Sequence, residues 1–305
     1  MRQQDNDCAE LLQGLLAAHP RPARPALRSV RVGLIGRGIQ LSRTPLMHER
    51  EAARLGLDYS YILVDFDQLH LPDAALPAIL SAGAALDFQG FNVTLPFKQQ
   101  VMPLLDSLAP EAASIGAVNT VVYGANGTTG HNTDSWGFAE SFRAGLADAP
   151  RRQVVQFGAG GAGAAVAQAL MECGAEYLDI IDSDQARAQT LAGRMQESWG
   201  ERVRASDKVA EALAWTDGIV NTTPVGMAKF PGLPFPAERL RPNHWVAEII
   251  YFPEETELLR RARALGCRTL AGTGMAIGQA VRAFELFTGL KSDMASMAGH
   301  FEAAA

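Results

Sequence analysis

The chain has 305 residues, a formal net charge of −6, 48% hydrophobic and 20% charged residues. That length holds one large domain or two ordinary ones, and the balance is that of a soluble globular protein. The acidic charge argues against a nucleic-acid or anionic-membrane surface, and no apolar run is long enough to span a bilayer. Three scattered cysteines (Cys8, Cys173 and Cys267) lack C-x-x-C spacing, which points to a reducing compartment and to no metal site. The polar stretch from Met1 to Cys8 lacks the apolar core of a secretory signal, so a cytoplasmic location is expected.

In chain order, residues 9–18 read as a short helix. The next stretch, 19–26, holds Pro20, Pro22 and Pro25 and reads as an extended linker, so residues 1–29 are expected to be a disordered or loosely packed arm. The body starts with a strand at 30–36, then a helix at 45–55, a strand at 59–65, a helix at 73–82 and a strand at 88–93. A helix over 96–105 is predicted next, with Pro96 at its start. The strand 117–123 pairs through the Gly124-Ala125-Asn126-Gly127 turn with 128–131, a hairpin signal. A helix over 136–142 follows. From residue 153 a second series places strands at 153–157, 177–182, 202–206, 217–221, 244–249 and 267–270, with helices between them. That alternation implies a parallel sheet covered on both faces. Helices over 276–287 and 293–301 close the chain.

The second series opens on Gly158-Ala159-Gly160-Gly161-Ala162-Gly163, set between an apolar strand and an alanine-rich helix, with Asp182 ending the next strand. A strand, a glycine turn and a helix in that order seat a dinucleotide pyrophosphate on helix N-terminal N–H groups. Asp182 is placed to accept hydrogen bonds from the adenosine ribose and to repel a 2′-phosphate, which favours NAD over NADP. Arg187 lies close enough to offset that in part, or is simply a solvated helix residue. The fold class that follows is α/β: an N-terminal α/β substrate domain and a Rossmann-type doubly wound dinucleotide-binding domain, with a cleft between them. The expected division is 30–133 with 275–305 for the substrate domain and 134–274 for the dinucleotide domain.

Four clusters in the first half carry candidate chemistry. Ser42 and Thr44 stand two residues apart and point the same way if the chain is extended, as a carboxylate or polyol clamp requires; a helix cap before Pro45 reads equally well. The segment from Asn92 to Lys98 leads from a strand end into the predicted helix. A lysine in the first helical turn faces the positive end of the dipole, which lowers its pKa and suits it to proton transfer; an ordinary surface lysine is the alternative. Asn119 opens the hairpin. Asp134 is either a helix N-cap or an acid/base partner for Lys98.

Taken together, S-R-T-P at 42–45, N-V-T-L-P-F-K at 92–98, A-V-N-T at 117–120, N-T-D at 132–134 and the glycine run closely resemble the shikimate dehydrogenase family. Asn221-Thr222-Thr223-Pro224-Val225-Gly226-Met227, and Gly272-Thr273-Gly274-Met275 with Gln279, extend the resemblance over about residues 30 to 303. It implies reversible hydride transfer between a ring hydroxyl and a nicotinamide. Lys98 matches the family's proton-transfer group and Asp134 the residue that orients the reacting hydroxyl. Ser42 and Thr44 match the substrate-carboxylate positions, Tyr251 a tyrosine near that carboxylate, and Asn92, Thr94, Asn119 and Gln279 the ring-hydroxyl ligands. Gly274 and Met275 match the nicotinamide pocket, and Asn221, Thr222 and Thr223 run beside the cofactor. Two departures from the biosynthetic, NADP-using pattern stand out. Asp182-Ser183-Asp184 replaces Asn-Arg-Thr, and Ser42-Arg43-Thr44 replaces Ser-x-Ser. Both resemble the NAD-dependent quinate/shikimate dehydrogenase branch. The alternatives are a strict shikimate or aminoshikimate enzyme, or a dinucleotide-binding sensor without catalysis. The implied partner is a small carboxylated polyol, and a homo-oligomer is compatible with the chain.

Overall fold

Two six-stranded sheets organise the chain in the computed structural model, which describes residues 2–19 and 28–303. They belong to two units: one of 1–133 with 280–305, the other of 134–279. The chain returns to the first unit at residue 280, inside a helix, instead of at 275.

The first unit is built from α1 (Arg2–Ala18), β1 (Ser29–Gly36), α2 (Thr44–Arg54), β2 (Asp58–Asp65), α3 (Leu76–Ala85), β3 (Gly90–Val93), β4 (Ser107–Leu108), α4 (Pro110–Ile115), β5 (Thr120–Gly124) and β6 (Gly127–His131). The sheet order is β2-β1-β3-β5-β6-β4. Strands β1, β2 and β3 are parallel, while β5 runs antiparallel to β3 and turns tightly into β6. The C-terminal ends of β1 and β3 and the start of β5 therefore share one edge of the sheet.

Two expectations about the first unit are corrected here. The N-terminal segment contributes to the core: α1 packs on α3, with Cys8 and Leu12 buried and Leu11, Leu15 and Leu16 half-buried beside them. Most of the proline-rich linker lies outside the described residues. No α-helix forms over 96–105; turns lead into a single 3-10 turn at Met102–Leu104. The reason is local competition, because the carbonyl of Lys98, which a helix would offer to Met102 N, instead accepts from Val118 N at 2.8 Å. Pro103 then has no N–H for the carbonyl of Gln99. The helix-dipole argument for Lys98 falls with the helix.

The C-terminal helix α11 (Met294–Glu302) is fastened to α2 by one buried carboxylate. Glu51 accepts from Arg54 Nε and Nη2, from Ser292 Oγ at 2.9 Å and from Ser296 Oγ at 2.8 Å. Those donors outweigh burial and hold its pKa down, at about 2.

The second unit takes in α5 (Thr133–Leu146) from Asp134 onward, then β7 (Gln153–Phe157), α6 (Gly161–Glu172), β8 (Tyr177–Ile181), α7 (Gln185–Trp199), β9 (Val203–Ala205), α8 (Val209–Trp215), β10 (Gly218–Asn221), β11 (Trp245–Glu248), α9 (Glu257–Ala264), β12 (Arg268–Leu270) and the first part of α10 (Thr273–Thr288). Its sheet is wholly parallel, in the order β12-β11-β10-β7-β8-β9. This is the doubly wound arrangement, and the order reverses between β7 and β10, where such sheets open a ligand crevice at the strands' C-terminal ends. Val154, Val155 and Phe157 are buried, as a strand covered on both faces requires. Among the described residues no helix is long and apolar enough to cross a membrane.

Helices α5 and α10 meet through bare backbone. A Cβ on Gly137 would lie 2.6 Å from Gln279 N and 2.7 Å from Met275 O, and one on Gly278 would lie 2.7 Å from Gly137 Cα. Nothing at this crossing can yield except the helices themselves. Gly137→Ala should therefore destabilise the protein by about 1–3 kcal/mol, read as a lower urea midpoint at unchanged m-value; an unaltered midpoint would show that the crossing has slack.

Candidate functional site

In the first unit the candidate substrate ligands gather at the shared sheet edge. Asn92, on β3, is buried; its Oδ1 accepts from Tyr61 Oη at 2.7 Å, and its Nδ2 donates to Thr120 Oγ1 at 3.0 Å. Thr120 Oγ1 donates in turn to Asn119 Oδ1 at 3.0 Å. Asn119 Oδ1 also accepts from Thr133 N at 2.8 Å, and its Nδ2 donates to Thr133 Oγ1 at 3.0 Å. The chain Tyr61–Asn92–Thr120–Asn119–Thr133 fixes both amides, leaving Asn119 one N–H and Asn92 one lone pair to offer a ligand. Thr94 follows Asn92 directly and is tied to β1 through its N–H to Ile35 O. Lys98 is half-buried on the turn that Val118 N holds in place.

The turn bearing Ser42 and Thr44 is not extended. Arg43 sits in the right-handed helical region (φ −86°, ψ −9°), and Ser42 Oγ accepts weakly from Thr44 N at 3.4 Å. Both hydroxyls thus stand at the start of α2, brought there by helical turning instead of strand alternation. Arg43 lies over the Phe301 ring of α11, 4.8 Å from its centroid, a cation–π contact that steadies the turn.

In the second unit the glycine turn joins β7 to α6. Gly158 has φ +104°, and a Cβ there would press on Thr222 Oγ1 at 2.5 Å; one on Gly163 would meet Gly158 O at 2.5 Å. A Cβ on Gly160, by contrast, meets nothing within 4 Å. The cradle is closed beneath and open above. Helix α6 begins at Gly161 without a side-chain cap, so the N–H groups of Gly161, Ala162 and Gly163, which have no acceptor within the helix, are left for a ligand or solvent. Those features fit a dinucleotide pyrophosphate. Asp182, just past β8, accepts from Ala159 N at 2.7 Å through Oδ2 and from Asp184 N at 2.9 Å through Oδ1. Asp184 caps α7, and Arg187 is exposed, 3.8 Å from the Asp184 carboxylate.

Asn221, Thr222 and Thr223 face inward. Thr222 Oγ1 donates to Phe157 O at 2.8 Å or to Gly158 O at 2.9 Å, Thr223 Oγ1 donates to Asn221 Oδ1 at 2.7 Å, and Asn221 Nδ2 donates to Val225 O and to Glu248. Their side chains shape the loop beside the glycine turn and are occupied in doing so. Gly274 passes so near Ser141 that a side chain there would strike its hydroxyl, and Met275 is buried. Gln279 donates to Ala276 O within its own helix at 2.9 Å. Tyr251 is exposed beyond the end of β11. Asp134 lies buried in the first turn of α5, one residue inside the helix and so not its N-cap. Lys98 and Asp134 fall in different units.

The model for the shikimate dehydrogenase substrate binding domain matches residues 34–121. A Streptomyces avermitilis protein named shikimate dehydrogenase (NADP(+)) is 52% identical over 269 residues, 87% of this chain and 92% of the relative. A Corynebacterium efficiens quinate/shikimate dehydrogenase (NAD(+)) is 50% identical over 277 residues, 90% of this chain and 98% of the relative. Among solved structures, quinate dehydrogenase from Corynebacterium glutamicum in complex with NAD matches with a TM-score of 0.86 at 47% identity, over 90% of this chain and 99% of that one.

Sequence reasoning missed the residues that support these positions. Tyr61 and Thr120 look like ordinary strand residues. Gln156 and Glu248 carried a signal, each being a polar residue in an otherwise apolar buried strand. Glu248 accepts from Asn221 Nδ2, Ile249 N, Ile250 N and Thr256 Oγ1, yet burial still pushes its pKa up to about 7. A carboxyl whose pKa rises on folding is most stabilising below its unfolded value, near 4.5, and that contribution is lost as pH rises through about 7. Between pH 4.5 and 8 the wild type should therefore lose on the order of 3 kcal/mol relative to Glu248→Gln, measured by denaturant titration at each pH. Parallel pH profiles would place this carboxyl in its ordinary range.

Proposed function

This chain belongs to the shikimate dehydrogenase family, and from that premise we propose that it is an NAD-dependent quinate/shikimate dehydrogenase that oxidises a ring hydroxyl reversibly to the 3-dehydro ketone. The observation that carries the cofactor half is Asp182. Its carboxylate is held against the glycine turn by Ala159 N, with Asp184 two residues on, so two negative charges stand where an NADP 2′-phosphate would need a cation. Arg187, the nearest cation in sequence, is paired with Asp184. The name of the Corynebacterium efficiens relative supports this reading, and that of the Streptomyces relative supports the NADP alternative.

When bound, NAD supplies the hydride acceptor. The residues of the chain do the rest. Ser42 and Thr44 hold the substrate carboxylate from the start of α2. Asn92, Thr94 and Asn119 hold ring hydroxyls, the two amides locked by the Tyr61–Thr133 hydrogen-bond chain so that little side-chain freedom is lost on binding. Tyr251 and Gln279 complete the ring's surroundings, and Gly274 and Met275 border the nicotinamide. Lys98 Nζ takes the hydroxyl proton as the carbon gives up its hydride, and the Asp134 carboxylate orients that hydroxyl. In reduction the same lysine returns the proton. The threonine methyl of Thr44 narrows the carboxylate end, where the saturated and unsaturated rings differ. Cys8, Cys173 and Cys267 stand outside any disulfide among the described residues, which suits a reducing, cytoplasmic setting.

Initial rates of nicotinamide reduction with quinate and shikimate, each with NAD and NADP, test the proposal. NAD should give a kcat/KM at least about tenfold above NADP. A higher value with NADP would overturn the role of Asp182, and turnover of shikimate alone would replace the proposal with a strict shikimate dehydrogenase. Lys98→Ala should lower kcat by about 10²–10⁴ while the Kd for NAD stays within about twofold; unchanged turnover would remove this lysine from the chemistry.

A further inference from the structure

Gln156 occupies the central strand β7 between Val155 and Phe157, fully buried in a sheet covered on both faces. Its Nε2 donates to Gly158 O at 2.8 Å and to Gly163 O at 2.9 Å. Two carbonyl acceptors fix which end of the amide faces the turn. One side chain, lying beneath the turn, thus holds the first and last residues of the Gly158–Gly163 run. Thr222 Oγ1 reaches Gly158 O from β10's side at 2.9 Å, so that carbonyl is held from two directions. The other end of the amide is left over: Gln156 Oε1 is buried and has no hydrogen-bond partner among the described residues.

A buried amide with one end unsatisfied is a poor choice for a core position. Leucine or methionine would fill the same volume without an orphaned acceptor. What the amide supplies is the orientation of two peptide groups. With Gly158 and Gly163 held through their carbonyls and Ala159 N taken up by Asp182, the N–H groups of Gly161 and Ala162 at the uncapped start of α6 are left for the open face at Gly160. We propose that Gln156 is a positioning residue for the dinucleotide, fixing the glycine turn in its anion-binding shape from beneath at the expense of core stability. The inference rests on the reading of this turn as a dinucleotide seat, and it names the residue on which that seat's geometry depends.

The test compares wild type with Gln156→Leu and Gln156→Met by isothermal titration with NAD and NADP, by thermal melting, and by steady-state kinetics with the polyol. Both variants should bind the preferred nucleotide about tenfold more weakly, with the nucleotide KM rising in step. The KM for the polyol should stay within about twofold, and the melting temperature of the free protein should change by only a few degrees, since removal of the unpaired acceptor offsets the two hydrogen bonds lost. A folded variant with unchanged nucleotide affinity overturns the proposal. So does a lower melting temperature accompanied by equal losses in both KM values, which is the mark of a structural role alone. Failure of both variants to fold also overturns it, because the sheet would then need the amide. Wild type that binds neither nucleotide would overturn the cofactor reading along with the inference, whereas wild type that binds one while the variants match it sinks only the role of Gln156.

Discussion

Polar side chains buried at strand ends need partners, and meeting that need determines both halves of this molecule. In the first unit the requirement produces the Tyr61–Asn92–Thr120–Asn119–Thr133 chain, which crosses three strands and ends at the head of α5. In the second it produces two linked clamps. Gln156 and Thr222 hold the glycine turn, while Asn221 bridges Thr223, Val225 and Glu248. The N–H of Asn119 and the lone pair of Asn92 proposed to meet ring hydroxyls are therefore not groups of loose surface side chains. They are the spare valences of networks that the fold has already satisfied.

The buried carboxylates illustrate how the same requirement gives opposite electrostatic results. Glu51 has an arginine and two serine hydroxyls directed at it, so ionisation is favoured and the carboxylate serves as a peg for the C-terminal helix. Glu248 is surrounded by neutral donors with no cation among its bonding partners, and burial wins. Both positions appear in the sequence simply as a glutamate. The sign of each shift depends on which neighbours the fold delivers, and hydrogen bonds to a neutral donor compensate desolvation less well than a guanidinium does.

Tight backbone approach is the second recurrent device. Gly137 and Gly278 allow α5 and α10 to cross without side chains between them, while Gly158 and Gly163 let Thr222 close against the turn. In each case the glycine matters for what lies beneath it. Gly160 differs, since above it there is only open space, and this contrast between packed and open glycines separates the turn's scaffold from its ligand-facing side.

Hydrophobic alternation and turn chemistry made most of the architecture legible. The parallel strands of the second sheet, the Gly124–Gly127 hairpin and the strand–glycine–helix unit were all readable because their signals lie within a few residues of one another. The predicted helix over 96–105 was not, since its fate rested on Val118 taking the carbonyl of Lys98 from twenty residues away. Ser42 and Thr44 were singled out by residue type, but the backbone that presents them is helical where alternation suggested a strand. Gln156 and Glu248 showed only as polar interruptions. Sequence by itself therefore determined most of the order of elements, the strand–glycine–helix turn and the chemical types of the candidate residues, because local conformational preference and short-range motifs encode them. Tertiary structure alone decided which polar groups are used up in holding the fold and which remain for a ligand, because a hydrogen-bond partner or a desolvating neighbour is a property of distance in space and not of position along the chain.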